Sequence, residues 1–263
     1  MLDVHAPHET VHTWRDFFIH IATIVIGLII AVGLEQTVEA IHHHHQREYL
    51  EDQMHRESER NLQLVTMQLQ YSSLRHDYFE ARIHALQSAT PAHTDVLVTF
   101  PADHVALPAG SGGMLISPSR GTWTVATAGG TVALLPPETA KVFARLDLAG
   151  SFEQAAETET GRVAAILAST LLRDHIPPNP TGPLPLTQAQ VDDLLYAYSQ
   201  SVQANDDFHF RLAILQGALE AIIDRVDSLE AMYPYQQRAI EQSSATSPAA
   251  RPFAPDSTLP TQH

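Results

Sequence analysis

Four consecutive histidines, His42 to His45, form the one cluster in this 263-residue chain whose residue types could carry chemistry. On a helix, His42 and His45 share a face with Glu39 nearby, and neutral imidazoles three or four residues apart bind Zn²⁺, Ni²⁺ or Cu²⁺. These three residues are the metal-ligand candidates. Against a closed metal site, four successive positions spread around more than a full turn, and no distant His-x-x-x-His pair or acid cluster supplies further ligands. The cluster therefore reads as an interfacial belt of rings among lipid headgroups. A pH-responsive membrane contact is the second use, because protonated His42 to His45 would gain attraction to anionic lipid.

The other candidates point to structure. His5, His8 and His12 read as solvated tail residues, whereas His76 and His209 fall on apolar faces and should be hydrogen-bonded core histidines. Gly110 to Met114, GSGGM, has the glycines of a phosphate loop without the following Lys-Ser or Lys-Thr, so it reads as a turn. Ser119 to Trp123 has no histidine and acid placed around it in a nucleophile pattern, and Trp123 is expected to pack this section onto the rest. Asp192-Asp193 and Asp206-Asp207 read as solvated surface. Glu48, Glu51, Asp52, Glu57 and Glu59, interleaved with Arg47, Arg56 and Arg60, form the pattern of a salt-bridged exposed helix. No catalytic or cofactor-binding residue is assigned and no cofactor is called for.

Composition narrows the function classes. Thirty acidic against fifteen basic residues give a formal charge of −15, which argues against nucleic acid and against broad docking onto anionic lipid. Protonating all sixteen histidines would bring that charge to about +1, so surface charge should respond strongly to pH between about 5 and 7. The absence of cysteine removes disulfides, thiolate zinc sites and cysteine nucleophiles together.

The element that would position the histidines is the apolar run just before them. Phe17 to Leu34, FFIHIATIVIGLIIAVGL, carries no formal charge and spans about 27 Å as a helix, close to the ~30 Å hydrocarbon core of a bilayer. Apolar residues point all round the axis, unlike a soluble amphipathic helix. The flank lacks the basic start and cleavage site of a secretory signal. An uncleaved transmembrane helix is expected over 13–41, started by Thr13 with Asp16 three residues on and with Trp14 at the headgroup level. Thr23, Gly27 and Ala31 repeat every four residues, the small-xxx-small pattern of membrane-helix packing. That pattern suits a parallel homodimer, with His20 at its edge.

A short tail, 1–12, precedes this span, and a stalk with the first bundle helix follows at 42–90. A solvated neck is expected at 46–61. Leu62, Val65, Leu69, Ser72, His76, Phe79, Ile83 and Leu86 keep three-four spacing, and Leu64, Met67, Tyr71, Leu74 and Tyr78 make a second row beside them. Two rows give a face too wide for a simple two-stranded seam. An irregular Gly/Pro-rich insertion is expected at 91–137, a helical segment at 138–176 broken near Gly150, and a stiff Pro-rich linker at 177–186. Thr187 with Gln190 forms a capping box for a long C-terminal bundle helix at 187–233, antiparallel to 62–86. Residues 234–263 read as a mostly disordered tail. The fold class is therefore mainly α: one transmembrane helix continuing into an elongated bundle.

The run HTWRDFFIH, then GLIIAVGLEQTVE, then HH, at 12–45, resembles the opening of a group of uncharacterised bacterial single-pass inner-membrane proteins. SRGTW and GTVALLP, at 119–136, are similar to the middle of those proteins. The resemblance implies a single inner-membrane anchor and brings no activity with it. The expected function is an interaction or scaffold module. A metal-, pH- or small-molecule-responsive sensor acting through a partner is the alternative, and an enzyme comes third. The expected partners are the lipid bilayer and either a second copy or another membrane protein. Counting basic residues would put the bundle in the cytoplasm, but long domains translocate largely regardless of charge. A short cytoplasmic N-terminus with a periplasmic bundle is expected.

Overall fold

The computed structural model describes residues 14–92, 95–101, 117–178, 180 and 182–246. From Leu34 to Ala89 there is neither glycine nor proline to interrupt the backbone ladder, and one helix, α1, runs Trp14–Gln87 with Asp16 in its first turn. Thr13, expected as its cap, lies outside the described residues. The chain divides into two compact units, Met1–Leu50 and Glu51–His263. α1 contributes to both.

In the first unit, every residue from Trp14 to His45 is exposed. This stretch is the one helical segment among the described residues long and apolar enough to cross a membrane. Trp14, Phe17 and Phe18 cluster at its start, each pair of rings 5.8 Å apart.

The second unit is a helical bundle of α1, α3 (Pro137–Arg173), α4 (Gln188–Ile223) and α5 (Leu229–Thr246), with a short helix α2 (Gly121–Ala128) against it. The predicted mainly-α architecture is what is found. α1 and α4 run antiparallel, as expected: His55 meets the Ile223 carbonyl, Ser72 meets His209, and the Phe79 ring lies 6.2 Å from Tyr198. α3 pairs with α4 in the same sense, with Thr160 donating to the Ala204 carbonyl and Arg173 to Asp193. The core is filled by Val65 and Phe79 of α1, Val142, Leu146 and Val163 of α3, and Leu194, Tyr198, Phe208, Leu212 and Leu219 of α4.

Several boundaries differ from the expected ones. The neck at 46–61 is already bundle in its second half, because Met54, Glu57, Ser58 and Asn61 are buried. The 187–233 helix is two helices. α4 does start with the predicted capping box, Gln190 Oε1 accepting from the Thr187 N–H and Thr187 Oγ1 from the Gln190 N–H. It ends at Ile223, however, where Arg225 adopts φ +56° and its N–H and that of Val226 return to the Ile222 and Ala221 carbonyls. That is a Schellman ending built on a non-glycine residue. α5 then folds back, so residues 234–246 are helical and Pro234 sits inside α5; residues 247–263 lie outside the described set.

The close return of α5 depends on Gly217, where a Cβ would lie 2.5 Å from Gln236 Cα and 2.6 Å from the Tyr235 carbonyl oxygen. Gly150 is no break, since α3 passes through it and the Arg120 side chain lies across it. The insertion and the linker each supply strands: β1 (Thr90–Ala92), β2 (Asp95–Val98) and β3 (Leu184–Leu186) form an antiparallel sheet in that order, with Val96 opposite Leu186. GSGGM, His5, His8 and His12 lie outside the described residues.

Candidate functional site

Residues from three segments meet where the later part of the 91–137 insertion crosses α1 and α3. Asn61 donates to the Ser119 carbonyl at 2.7 Å and accepts from the Ser119 N–H at 2.9 Å, gripping one residue by both backbone groups. One turn earlier, Glu57 accepts from the Thr122 N–H at 3.0 Å and from the Thr122 hydroxyl. α2 has no cap of its own side chains, so Glu57 reaches across from α1 to supply one and puts a carboxylate at the positive end of the α2 dipole. Arg120 donates to Asp147 of α3 at 2.7 Å, while Trp123 is buried with its ring 6.3 Å from Phe143. The cavity left between these groups is about 20 Å³, room for one water. The Ser119–Trp123 motif is therefore a clamp that fixes α2 onto the bundle, as predicted for Trp123. The buried roles of Glu57 and Asn61 had no signal beyond their polar surroundings.

A second cluster brackets α1 and α4 one helical length away. His76 donates through Nδ1 to Asp206 at 2.7 Å, His209 Nδ1 is hydrogen-bonded to the Ser72 hydroxyl, and Asn205 donates to the Ser72 carbonyl at 2.9 Å. The hydrogen bond to Asp206 raises the pKa of His76 above the usual histidine value against the opposing effect of burial, helped by the nearby Glu80 and Asp77 carboxylates. Burial lowers that of His209, against upward pulls from Asp206 and the Ser243 backbone of α5. Both are hydrogen-bonded core histidines, as their positions predicted. Asp206, expected to be plain surface, is 49% exposed yet orients His76.

This cluster contains a serine, two histidines and an acid, but it is not wired as a triad. The acid holds His76 while the serine meets His209, and Ser72 is 1% exposed, so a substrate would have to part the helices to reach it. What the arrangement does carry is protons at the heart of a helix pair. Nearby in α3, Glu153 is fully buried, and burial raises its pKa to about 7, aided by Glu157.

The metal candidates do not come together. Glu39 faces His43 at 3.9 Å, His42 meets Gln46 at 2.9 Å, and His45 lies 3.9 Å from Glu48. Each exposed ring takes its own neighbour one turn along. Among the described residues no group of three or more potential ligands is gathered. Of the packing candidates, Thr23 donates to the Ile19 carbonyl, and a Cβ at Gly27 would meet open space, so that face, including the exposed Ala31, is bare.

No family model, curated protein or solved structure matches the chain. The functional reading rests on its own residues.

Proposed function

We propose that this chain is a single-pass protein of the bacterial inner membrane whose helical bundle is an interaction or scaffold module that holds a partner beside the bilayer. One observation carries the reading: an uncharged, apolar stretch of the right length whose side chains are exposed all round, a surface that water would not tolerate and lipid would. Its partners are then the bilayer and a second copy or another membrane protein, with the −15 charge arguing against nucleic acid. We place the short N-terminus in the cytoplasm and the bundle in the periplasm.

Carbonate extraction with N-terminal sequencing tests the anchor: the intact chain stays in the pellet, and release of a fragment beginning near Ile41 would overturn it. A C-terminal alkaline phosphatase fusion should be active. An inactive phosphatase with a bright fluorescent-protein fusion would place the bundle in the cytoplasm. Stoichiometric co-purification of a membrane protein from detergent supports the scaffold.

A sensor acting through a partner is the second reading, favoured by the titratable bracket of His76, Asp206 and His209 inside the α1–α4 pair. In that case a shift in pH, rather than a binding partner, changes the helix packing.

A further inference from the structure

We propose that His209, wedged among α1, α4 and α5, is a latch that acid opens, releasing residues 240–246 of α5 from the bundle. The inference rests on the pH-responsive reading and deepens it by naming the element that moves.

Hydrogen bonding places the proton on the ring. Ser72 of α1 donates its hydroxyl hydrogen to the Leu69 carbonyl at 3.0 Å, so its oxygen accepts from His209 Nδ1. The neutral ring then keeps its lone pair on Nε2. That atom is buried and has no hydrogen-bond partner among the described residues, although the Ser243 backbone of α5 lies beside the ring. A second proton arriving at Nε2 creates a buried donor and a positive charge with no acceptor, which favours any movement that lets water reach the ring.

The surrounding charges set when this happens. Asp206, one turn back on α4, favours the charged ring and His76 of α1 opposes it, while the Ser243 backbone is the only α5 group among the described residues that acts on it. Burial outweighs the upward pulls, so His209 charges below the usual histidine range. The latch therefore holds above about 6.5 and is lost as pH falls through the lowered value of the ring. His76, held by Asp206 with help from Glu80 and Asp77, charges above that range. The two protons arrive in order as pH falls. The first completes the His76–Asp206 bridge between α1 and α4, and the second enters a ring whose neighbouring carboxylate is already engaged.

The cover that yields is the one with the least holding it. Around the ring α1 buries Val65, Ser72 and Phe79, and α4 buries Asn205, Phe208 and Leu212. α5 is anchored earlier in its length, where Met232, Gln236 and Ala239 are buried and Gln236 lies close against Gly217 of α4. From Ile240 to Ser244 no residue is fully buried. Segments with little buried surface open at the smallest cost. Release therefore begins past Ala239 and leaves α1 and α4 paired.

The absence of cysteine allows spin-label pairs to be placed in the full chain. Gln203 of α4, Ser244 of α5 and Gln70 of α1 are all exposed. The Gln203→Cys/Ser244→Cys pair reads the latch, and the Gln70→Cys/Gln203→Cys pair reads the α1–α4 packing. By pulsed electron paramagnetic resonance both pairs should give one sharp distance at about pH 8. By about pH 4.5 the latch pair should gain a second, longer distance while the α1–α4 pair stays sharp. His209→Gln, neutral at every pH, should abolish the longer distance. His76→Gln removes the opposing charge and frees Asp206 to act on His209, so the longer distance should then appear at a higher pH than in the native chain. An unmoved latch pair, a longer distance that survives in His209→Gln, or a transition that does not rise in His76→Gln each overturns the latch. If His209→Gln fails to fold, seen as a broad α1–α4 distance at pH 8, the direction of the His76→Gln shift decides. Movement of the α1–α4 pair with α5 in place keeps the pH-responsive reading and overturns the latch alone, as does movement of both pairs together; movement of neither overturns both.

Discussion

From Trp14 to His45 the chain exposes isoleucine, valine, leucine and phenylalanine on every side; from Met54 to Leu86 it buries glutamate, asparagine, glutamine, arginine and histidine. One helix thus reverses the usual relation between polarity and burial twice, for two different reasons. In the first stretch nothing among the described residues covers the apolar surface, and this is the surface that the proposed anchor would put in lipid. In the second, several polar side chains go inside to meet specific partners. Glu57 caps a helix that lacks a cap, Asn61 replaces the hydrogen bonds of a crossing backbone, and His76 closes onto Asp206. Polarity alone does not say whether a residue is buried; the availability of partners does.

The same substitution in the two stretches should separate them most sharply. Leu219→Asp places an unpaired carboxylate at a fully buried core position and should cost more than about 4 kcal/mol, unfolding the bundle while the chain remains in the membrane pellet. Ile26→Asp should do the reverse, leaving the melting of the bundle unchanged and weakening insertion by about 3 kcal/mol. Circular dichroism of the detergent-solubilised chain reads the first and carbonate extraction the second. Equal effects of both on the melt would erase the distinction between the stretches.

How legible each stretch was in the sequence follows from the same contrast. The apolar span is read from its length and lack of charge, the capping box from Thr187 and Gln190, and the antiparallel partnership of α1 and α4 from periodicity, because in that pair burial follows hydropathy. The neck at 46–61 was misread because Glu57 and Asn61 are buried for partners some sixty residues away, which no local pattern announces. The break after Ile223 carried neither glycine nor proline. Its available signal was Ser228, whose hydroxyl accepts from the Ala231 N–H and whose carbonyl accepts from the Met232 N–H to open α5. Gly150 looked like a break and is instead the place where Arg120 lies flat on α3. Glu39, His42 and His45 share a helix face by their spacing, but each side chain pairs with a different neighbour, Glu39 with His43, His42 with Gln46 and His45 with Glu48.

Buried acids differ in whether a donor meets them, and pH should expose that difference. Glu57 has its donors, while Glu153 is buried with a pKa raised from 4.5 to about 7. As pH rises from 4.5 to 7 the unfolded chain loses this proton and the folded one keeps it, so the bundle loses about 3 kcal/mol over that window. The raised His76 acts in the same direction, its stabilisation being complete below about 6.5 and lost as pH climbs through the folded value. His209, held neutral by burial, opposes them, its contribution being present above about 6.5 and lost as pH falls. Glu153→Gln should therefore raise stability by about 3 kcal/mol at pH 8 and leave it nearly unchanged at pH 4.5. Denaturant melts at the two pH values decide this, and a gain that is the same at both would mean the carboxyl titrates normally.

The clamp offers a smaller test of polar burial. Asn61→Ala removes both partners of the Ser119 backbone and should cost about 2 kcal/mol. The cost should appear with increased exposure of Trp123, read by its fluorescence, because the segment would lift from α1. A loss of stability with unchanged fluorescence would assign the cost to packing along α1 alone.

The smallest effect expected is a gain, at a helix end. His175 follows α3 with φ +53°, its N–H returning to the Leu172 carbonyl and that of Ile176 to the Leu171 carbonyl, the same ending that Arg225 gives α4. A Cβ in the left-handed region crowds the following carbonyl oxygen, at a cost of about 1–2 kcal/mol for an L-residue. Glycine avoids that cost but brings more freedom to the unfolded chain, which returns part of the gain. His175→Gly should therefore stabilise the bundle by less than about 1 kcal/mol, whereas His175→Ala, which keeps the Cβ and removes only the exposed ring, should not stabilise it. If alanine matched glycine, the backbone would not be responsible and the gain would belong to the loss of the imidazole. The Arg225 ending is the less clean site for this substitution, since its side chain lines a hollow with Glu51, His55 and Asp227 and removing it would change more than the backbone.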